Sequence, residues 1–424
     1  MIKFLFKGLM RDRSRSLLPI LVTTIGVMLT VFMFCYINGA ETDIIEGNAK
    51  FSTGHVKIMS RAYAEEEDQV PNDLAYIGIE ELMGQLKADY PQYVWTPRIR
   101  FGGLLDIPDE RGETRSQGPV MGMAVDLLND SSFESDLLNL DDALIRGRIP
   151  ANPGEILISD EFARQLGLAL GETATLVGST MYGSMTTANF SVVGTIRFGV
   201  PAMDRGAMIA DISDIQTVMD MPDTAGEILG FARDFIYRRE ETAESATIFN
   251  ARYSGTDDEF APIMVSLHEQ NELEQMLELY GSITGVALVI FVIVMSIVLW
   301  NAGLMGSLRR YGEIGLRLAI GEPKGHLYRT LIAESLMVGC VGSVLGTALG
   351  LGFSYYLQAK GINITTMMQN ASMIMSGIIR ARVTPASYVI GFIPGLAAAV
   401  LGTSISGIGI FRRRTAQLIK ELET

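Results

Sequence analysis

The run Gly321-Glu322-Pro323-Lys324-Gly325-His326 sets two glycines around a lysine and has the look of a phosphate cradle. Gripping a nucleotide requires the spacing G-x-x-x-x-G-K-[ST], in which backbone N–H groups and the lysine wrap the phosphates. Here Gly325 follows the lysine, so nucleotide chemistry is not expected at this place. The histidines His55, His268 and His326 lie too far apart in sequence to form a zinc spacing. Cys35 and Cys340 both fall inside apolar runs, which excludes a disulfide framework. No Ser/His/Asp constellation or carboxylate pair at a familiar spacing stands out, so no catalytic or metal site is expected and the chain reads as non-enzymatic. What remains is a dense group of charged and glycine residues, Glu313, Gly315, Gly321, Glu322, Lys324, His326 and Arg329, suited to docking against another protein.

Four apolar runs must position that group: 17–37, 281–304, 336–357 and 388–411. Each holds 21 to 24 residues, enough for a helix rising ~1.5 Å per residue to cross a ~30 Å hydrocarbon core. The first run also admits a cleaved leader ending near Asn38-Gly39-Ala40, but it exceeds the usual ~7 to 15 residue core of such leaders. The segments 1–16, 305–335 and 412–424 carry 14 Lys and Arg against 6 Asp and Glu, whereas 41–280 carries 17 against 42. Basic residues close to a span stay on the cytoplasmic side, so the cytoplasmic pieces are the N-terminus 1–16, the segment 305–335 and the tail 412–424. The large domain 38–280 and the loop 358–387 are then outside. The negative sign of the chain's net charge, −14, therefore comes from the outer domain alone, whose acidity disfavours nucleic acid as a partner.

The outer domain alternates strand and helix patterns. His55 to Ser60 reads as a half-buried strand with His55 and Lys57 on its polar positions, and Ile79 to Tyr90 as an amphipathic helix. Strands are expected at 94–107, 120–125 and 155–159, a helix at 160–166 capped by Ser159 or Asp160 and stopped by Gly167, and another short helix at 214–219. Thr173 to Val177 and Phe190 to Ile196 read as a hairpin with its tip at 178–188. An acidic amphipathic helix from Leu267 to Tyr280 is expected to run directly into the second span. This gives an α+β domain in two lobes. In the cytoplasmic segment, Leu304 to Ile320 continues the second span, Gly321 and Pro323 break it, and a short helix from Lys324 to Arg329 turns back. Gly342, Gly346 and Gly350 suit close helix packing, and Pro394 is expected to kink the fourth span.

The run Arg310-Tyr311-Gly312-Glu313-Ile314-Gly315-Leu316-Arg317-Leu318-Ala319-Ile320-Gly321 resembles the R-x-x-E-I-G-x-x-x-A-x-G signature of the FtsX/MacB superfamily of ABC-transporter permeases. Gly147-Arg148-Ile149-Pro150, Gly154-Glu155-Ile156 and Ser159, followed by Ala163 and Leu166-Gly167, resemble the G-R-x-P…G-E-I run of the MacB-type periplasmic core. Thr53-Gly54-His55-Val56-Lys57-Ile58 resembles a stretch of the lipoprotein-releasing LolC/LolE branch, which is also closest in layout.

The resemblance implies a membrane α-helical fold, four transmembrane helices with a large extracytoplasmic α+β domain of the MacB periplasmic-core type, in the cell inner membrane with both termini cytoplasmic. It implies an ABC ATPase partner in two copies, a second permease copy or paralogue, and lipid contacts. ATP and Mg belong to the ATPase, with no cofactor bound by this chain. Met1 to Ser16 offers no room for a fused nucleotide-binding domain, so the arrangement resembles the split one. By resemblance, the residues grouped between Glu313 and Arg329 couple to the ATPase, while Phe32, Met33 and Tyr36 are candidate contacts for substrate or lipid. The expected function is release of lipoproteins, with a periplasmic chaperone or adaptor as a further partner. The alternatives are MacB-like efflux of an antibiotic, peptide or toxin and, from another class, FtsX-like regulation of a cell-wall hydrolase. The tail lacks the family's proline, and the hairpin tip lacks the proline of the chaperone-recruiting hook.

Overall fold

The computed structural model describes residues 13–199, 201–270, 273–363 and 378–412. Residues 1–12, the middle of the 358–387 loop and the tail beyond Arg412 lie outside the described residues. The chain forms two compact units, one of Met1–Thr42, Leu277–Ile362 and Ile379–Thr424, the other of Asp43–Met276 and Asn363–Ile378.

The second unit is built on strands β1 (Val56–Ser60), β2 (Tyr76–Ile77), β3 (Tyr93–Pro108), β4 (Thr114–Val125), β5 (Leu144–Gly147), β6 (Glu155–Ser159), β7 (Thr173–Ser179), β8 (Met185–Ile196), β9 (Ala207–Asp211), β10 (Thr224–Ala225), β11 (Glu227–Ala232) and β12 (Pro262–Ser266). Ten of them form one sheet in the order β12-β1-β11-β3-β4-β9-β6-β8-β5, and β7 joins β3 to β8. The six strands β3, β4, β9, β6, β8 and β7 thereby close into a ring, while β12, β1 and β11 extend from the first half of β3. β3 is the shared element: Trp95 pairs with Gly230 of β11, and Ile99 with Ala124 of β4. β6 and β9 bury both faces, Ile156, Ile158, Met208 and Ala210 towards one core and Leu157 and Ile209 towards another. Such strands read as continuous apolar runs.

Local signals act where neighbours leave them undisturbed. Ser159 caps the helix Asp160–Leu166 by accepting from the Phe162 N–H, and Gly167 ends it at φ +63°. The loop between Arg148 and Glu155 closes on a carboxylate: both guanidinium ends of Arg148 donate to Glu155 at 2.7 and 2.5 Å, and the Ala151 and Asn152 N–H groups add bonds of 2.9 and 3.2 Å. Arg148 foremost, with the Ala151 N–H, holds the Glu155 carboxyl well below the usual range. Glu155 therefore shapes its own loop, which accounts physically for the G-R-x-P…G-E run.

Several expectations change. The hairpin tip is shorter than 178–188, because Gly178 pairs with Thr186 and Ser179 with Met185. The acidic helix does not begin at Leu267: Ser266 and Glu269 form a capping box around a single turn, and the long helix starts at Leu273. β1 is not half-buried, since Glu67 and the Ser52 carbonyl cover Lys57, and Phe231 and Tyr237 cover His55, so its polar side is buried as well. Pro394 produces no kink, because the fourth helix begins at Phe392 and a first-turn proline lacks only an N–H that has no intrahelical acceptor.

Among the described residues, four helices are long and apolar enough to cross a membrane: Leu17–Thr53, Leu273–Val298, Lys324–Lys360 and Pro385–Ile405. Leu21, Ile25, Val286, Val289 and Ile293 stand exposed, a surface suited to lipid rather than water. The third helix is continuous from Lys324 to Lys360, so the expected short helix at 324–329 is its first turn. The stripe of Gly342, Gly346 and Gly350 faces the first helix. A Cβ on Gly346 would stand 2.6 Å from the Thr24 carbonyl oxygen and 2.7 Å from Val27 Cβ. Gly352 meets nothing within 4 Å. Gly346→Val is expected to cost about 1–3 kcal/mol through overpacking and to lower the melting temperature of the detergent-purified chain. Gly352→Val should leave it within error, and equal effects would refute this packing.

Candidate coupling turn and the root of the first helix

The second helix runs 47 residues from Leu273 to Ala319, about 70 Å at ~1.5 Å per residue. It stops for a local reason. Gly321 adopts φ +100°, its N–H bonds to the Leu318 carbonyl at 3.1 Å, and the Glu322 N–H reaches the Arg317 carbonyl at 3.0 Å. This is a Schellman termination, which needs a residue without Cβ at the left-handed position. Pro323 follows as the N-cap of the third helix, and Leu327, buried with Leu318 and Leu331 against it, holds the two helices in a tight reversal.

The residues expected to dock an ATPase are distributed around this turn. Glu313 and Gly315 lie on the second helix, and the surroundings of their side chains lie outside the described ones. Glu322 is half-buried and contacts the exposed His326 ring, Oε1 to Nδ1 2.7 Å. Lys324 opens the third helix half-buried, and Arg329 is exposed one turn further on. Sequence alone passes over Leu316 and Ile320, one turn apart and 61% and 78% exposed. Their spacing matches the core-facing pattern of the same helix, so only the fold reveals that they end up outside.

On the first helix, Phe32 and Tyr36 stack on one another with centroids 6.4 Å apart. Met33 lies on another face, where with Thr30, Phe34 and Ile37 it lines a shallow groove closed by Thr284, Leu288 and Phe291 of the second helix. The three candidate contacts thus divide into an aromatic pair and one groove residue.

The C-terminal end of the first helix carries buried polar chemistry that sequence alone does not single out. The α-helix Arg13–Asn48 passes into a π-helical turn, Ala49–Thr53. Arg98 Nη1 donates to the Lys50 carbonyl at 2.6 Å, and Lys57 Nζ approaches the Ser52 carbonyl at 3.4 Å. Arg98 also forks onto Glu134 at 2.8 and 2.7 Å, and Lys57 pairs with Glu67 and stands 3.8 Å from Glu227. A hint is present in the sequence, in charges set among apolar neighbours in VKIM and TPRIR. Next to this root, His55 is buried against Phe231 and Tyr237 and accepts the Ala232 N–H on Nδ1. Tyr237 stacks in turn on His268, and β1 pairs Val56 with Ser266, so the chain enters and leaves this unit on neighbouring strands. Among the described residues, no three His, Cys, Asp or Glu side chains gather to hold a metal ion.

Residues 16–275 match the MacB-like periplasmic core domain, and residues 285–414 match the FtsX-like permease C-terminal domain. The chain is 25% identical over 384 residues to the macrolide export ATP-binding/permease protein MacB of Wolinella succinogenes, covering 85% of this chain and 54% of that protein. It is 22% identical over 215 residues to the lipoprotein-releasing system transmembrane protein LolC of Xylella fastidiosa, covering 49% of each. It thus spans about half the length of these curated relatives. The solved periplasmic region of MacB from Actinobacillus actinomycetemcomitans is a looser likeness, with 13% identity, a TM-score of 0.36, and coverage of 55% of this chain and 95% of that one.

Burial pushes the His55 imidazole down to about 4. The unfolded chain, with its histidine near 6.5, binds the proton first, so stability is full above that value and is lost as the pH falls towards 4. The loss expected is about 3 kcal/mol, because each tenfold difference in proton affinity between the folded and unfolded chain is worth ~1.4 kcal/mol. Urea unfolding of the full chain, followed by Trp95 fluorescence in a Trp300→Phe background, should show this slope. His55→Gln, which does not titrate, should flatten it.

Proposed function

Because this chain belongs to the FtsX/MacB superfamily of ABC transporter permeases, inner-membrane proteins with a periplasmic domain, we propose that it transmits the ATP cycle of a separate ATPase subunit to that domain and so releases lipoproteins from the membrane. The observation that carries this reading is the unbroken helix from Leu273 to Ala319, which joins the root of the periplasmic domain to the Gly321 turn. A helix without a break conveys rotation or displacement along its length, whereas a jointed connection would absorb it.

On this reading both termini and the turn face the cytoplasm, where Arg309, Arg310, Arg317, Lys324 and Arg329 lie. Two ATPase subunits serve a pair of permeases, this chain with a copy or a paralogue. ATP and Mg stay in the ATPase. The docking surface combines exposed Leu316 and Ile320 with Glu322, His326 and Arg329, an apolar centre with charged neighbours, and Glu313 precedes Leu316 on the same helix. The Schellman turn presents these groups rigidly. Met33 and the groove beside it form an apolar face suited to an acyl chain, with Phe32 and Tyr36 anchoring the outer interface. A second reading, export of a small molecule, draws on the larger share of this chain that matches the macrolide exporter, 85% against 49% for LolC.

Affinity purification of the chain from its own cell should bring down an ATPase, and mass spectrometry of the complex should find acylated polypeptide. An exported small molecule in its place would favour the second reading. Glu313→Ala with Glu322→Ala, or Leu316→Asp with Ile320→Asp, should reduce ATPase stimulation about tenfold, corresponding to ~1.4 kcal/mol of lost coupling, while cargo binding persists. Unchanged stimulation in both variants rejects this turn as the docking site, and a complex without any ATPase rejects the reading as a whole.

A further inference from the structure

We propose that Arg98 and Lys57 are positioning residues forming a latch, which grips the end of the first helix so that its terminal turn and the periplasmic domain move as one body. The proposal rests on the mechanotransmission reading above.

The last carbonyls of any helix lack intrahelical donors and carry the negative end of the helix dipole. In the π turn Ala49–Thr53, the Gly54 N–H satisfies the Ala49 carbonyl at 2.9 Å. Lys50 and Ser52 turn their carbonyls to two cations, Arg98 and Lys57, whose side chains are 1% and 0% exposed. Neither cation is free to swing. Arg98, on β3, is forked onto Glu134, which also accepts from Thr96 Oγ1 at 2.7 Å. Lys57, on β1, lies in a network with Glu67, Glu227 and Arg100, where Arg100 reaches Glu227 at 2.5 Å and Glu67 at 3.4 Å. Phe51 adds an edge contact to Phe198, centroids 6.1 Å apart. The helix end is thus held by side chains of β3 and β1, whose cations are fixed in turn by Glu134 of the short helix Glu134–Leu137 and by Glu227 of β11.

Stability alone does not explain this arrangement. Buried ion pairs can be exchanged for apolar residues of similar volume at little or no cost, so six charges gathered around one helix end contribute geometry more than free energy. π turns also concentrate at functional positions. Gly54 then reverses the chain at φ +59°, where a Cβ would meet the Val56 carbonyl oxygen at 2.7 Å. No slack separates the gripped turn from β1.

The test uses the full chain with its ATPase in nanodiscs and two variants. Arg98→Met with Glu134→Leu removes both charges at near-constant volume. Arg98→Lys keeps a charge for Glu134 but loses the fork that serves Glu134 and the Lys50 carbonyl together. Hydrogen exchange at residues 49–55 should speed up about tenfold in both, with 155–159 still protected as the sign of an intact fold. ATP hydrolysis should persist while transport per ATP falls roughly fivefold. Unchanged exchange at 49–55, or faster exchange with undiminished transport per ATP, overturns the latch. Should the double variant lose protection at 155–159, Arg98→Lys decides. Absence of ATP-driven transport in the unmodified complex would instead count against the proposed function.

Discussion

The attachment of the periplasmic domain depends on where the carbonyls at the end of the first helix find their donors. A helix leaves its final carbonyls unsatisfied, and once buried in a folded domain they need donors. The chain answers with Arg98 and Lys57, both drawn from strands and both buried. Burying two cations is costly unless each is paired, which brings in Glu134, Glu67 and Glu227, and with them Arg100. These partners are supplied by the long shared strand β3, by β1 and β11, and by the short helix Glu134–Leu137 beside them.

The second helix meets the domain differently. Its start at Leu273 follows a capped turn at Ser266–Glu269, with an exposed ion pair of 2.7 Å between Arg239 and Glu274. An exposed pair contributes little holding energy. The two connections lie side by side through the pairing of β1 with β12, one gripped by buried cations and the other seated on the buried side chains of Leu267 and Leu273. At its far end the second helix stops on Gly321, where backbone geometry alone ends it, and Pro323 begins the next helix at once. Within the membrane-spanning unit, small residues have the same role as the ion pairs in the domain: Gly342, Gly346, Gly350, Gly391 and Gly395 let backbones approach where a side chain would collide.

Much of this was legible in the sequence. The four spans, the break at Gly321 and Pro323, the helix Asp160–Leu166 with its Ser159 cap, and most strands rest on local periodicity and on residues with narrow backbone preferences. The misreadings share one cause. HVKIMS reads as half-buried because His55 and Lys57 are polar, yet burial depends on what packs over that side, here Glu67 over Lys57 and, from the far end of the domain, Phe231 and Tyr237 over His55. Pro394 reads as a kink until the helix start at Phe392 is known.

The candidate site divides along the same line. Sequence alone determined which residues stand at the turn between the second and third helices, because Gly321 at a left-handed φ and a following proline terminate a helix whatever surrounds them. Only the tertiary structure decided that Leu316 and Ile320 emerge exposed, that Met33 parts company with Phe32 and Tyr36, and that Arg98 and Lys57 meet the end of the first helix. Those outcomes depend on partners 5 to 48 residues away or in separate helices. A side chain's local pattern records its type and its spacing, whereas its partner is chosen by the packing of the whole chain.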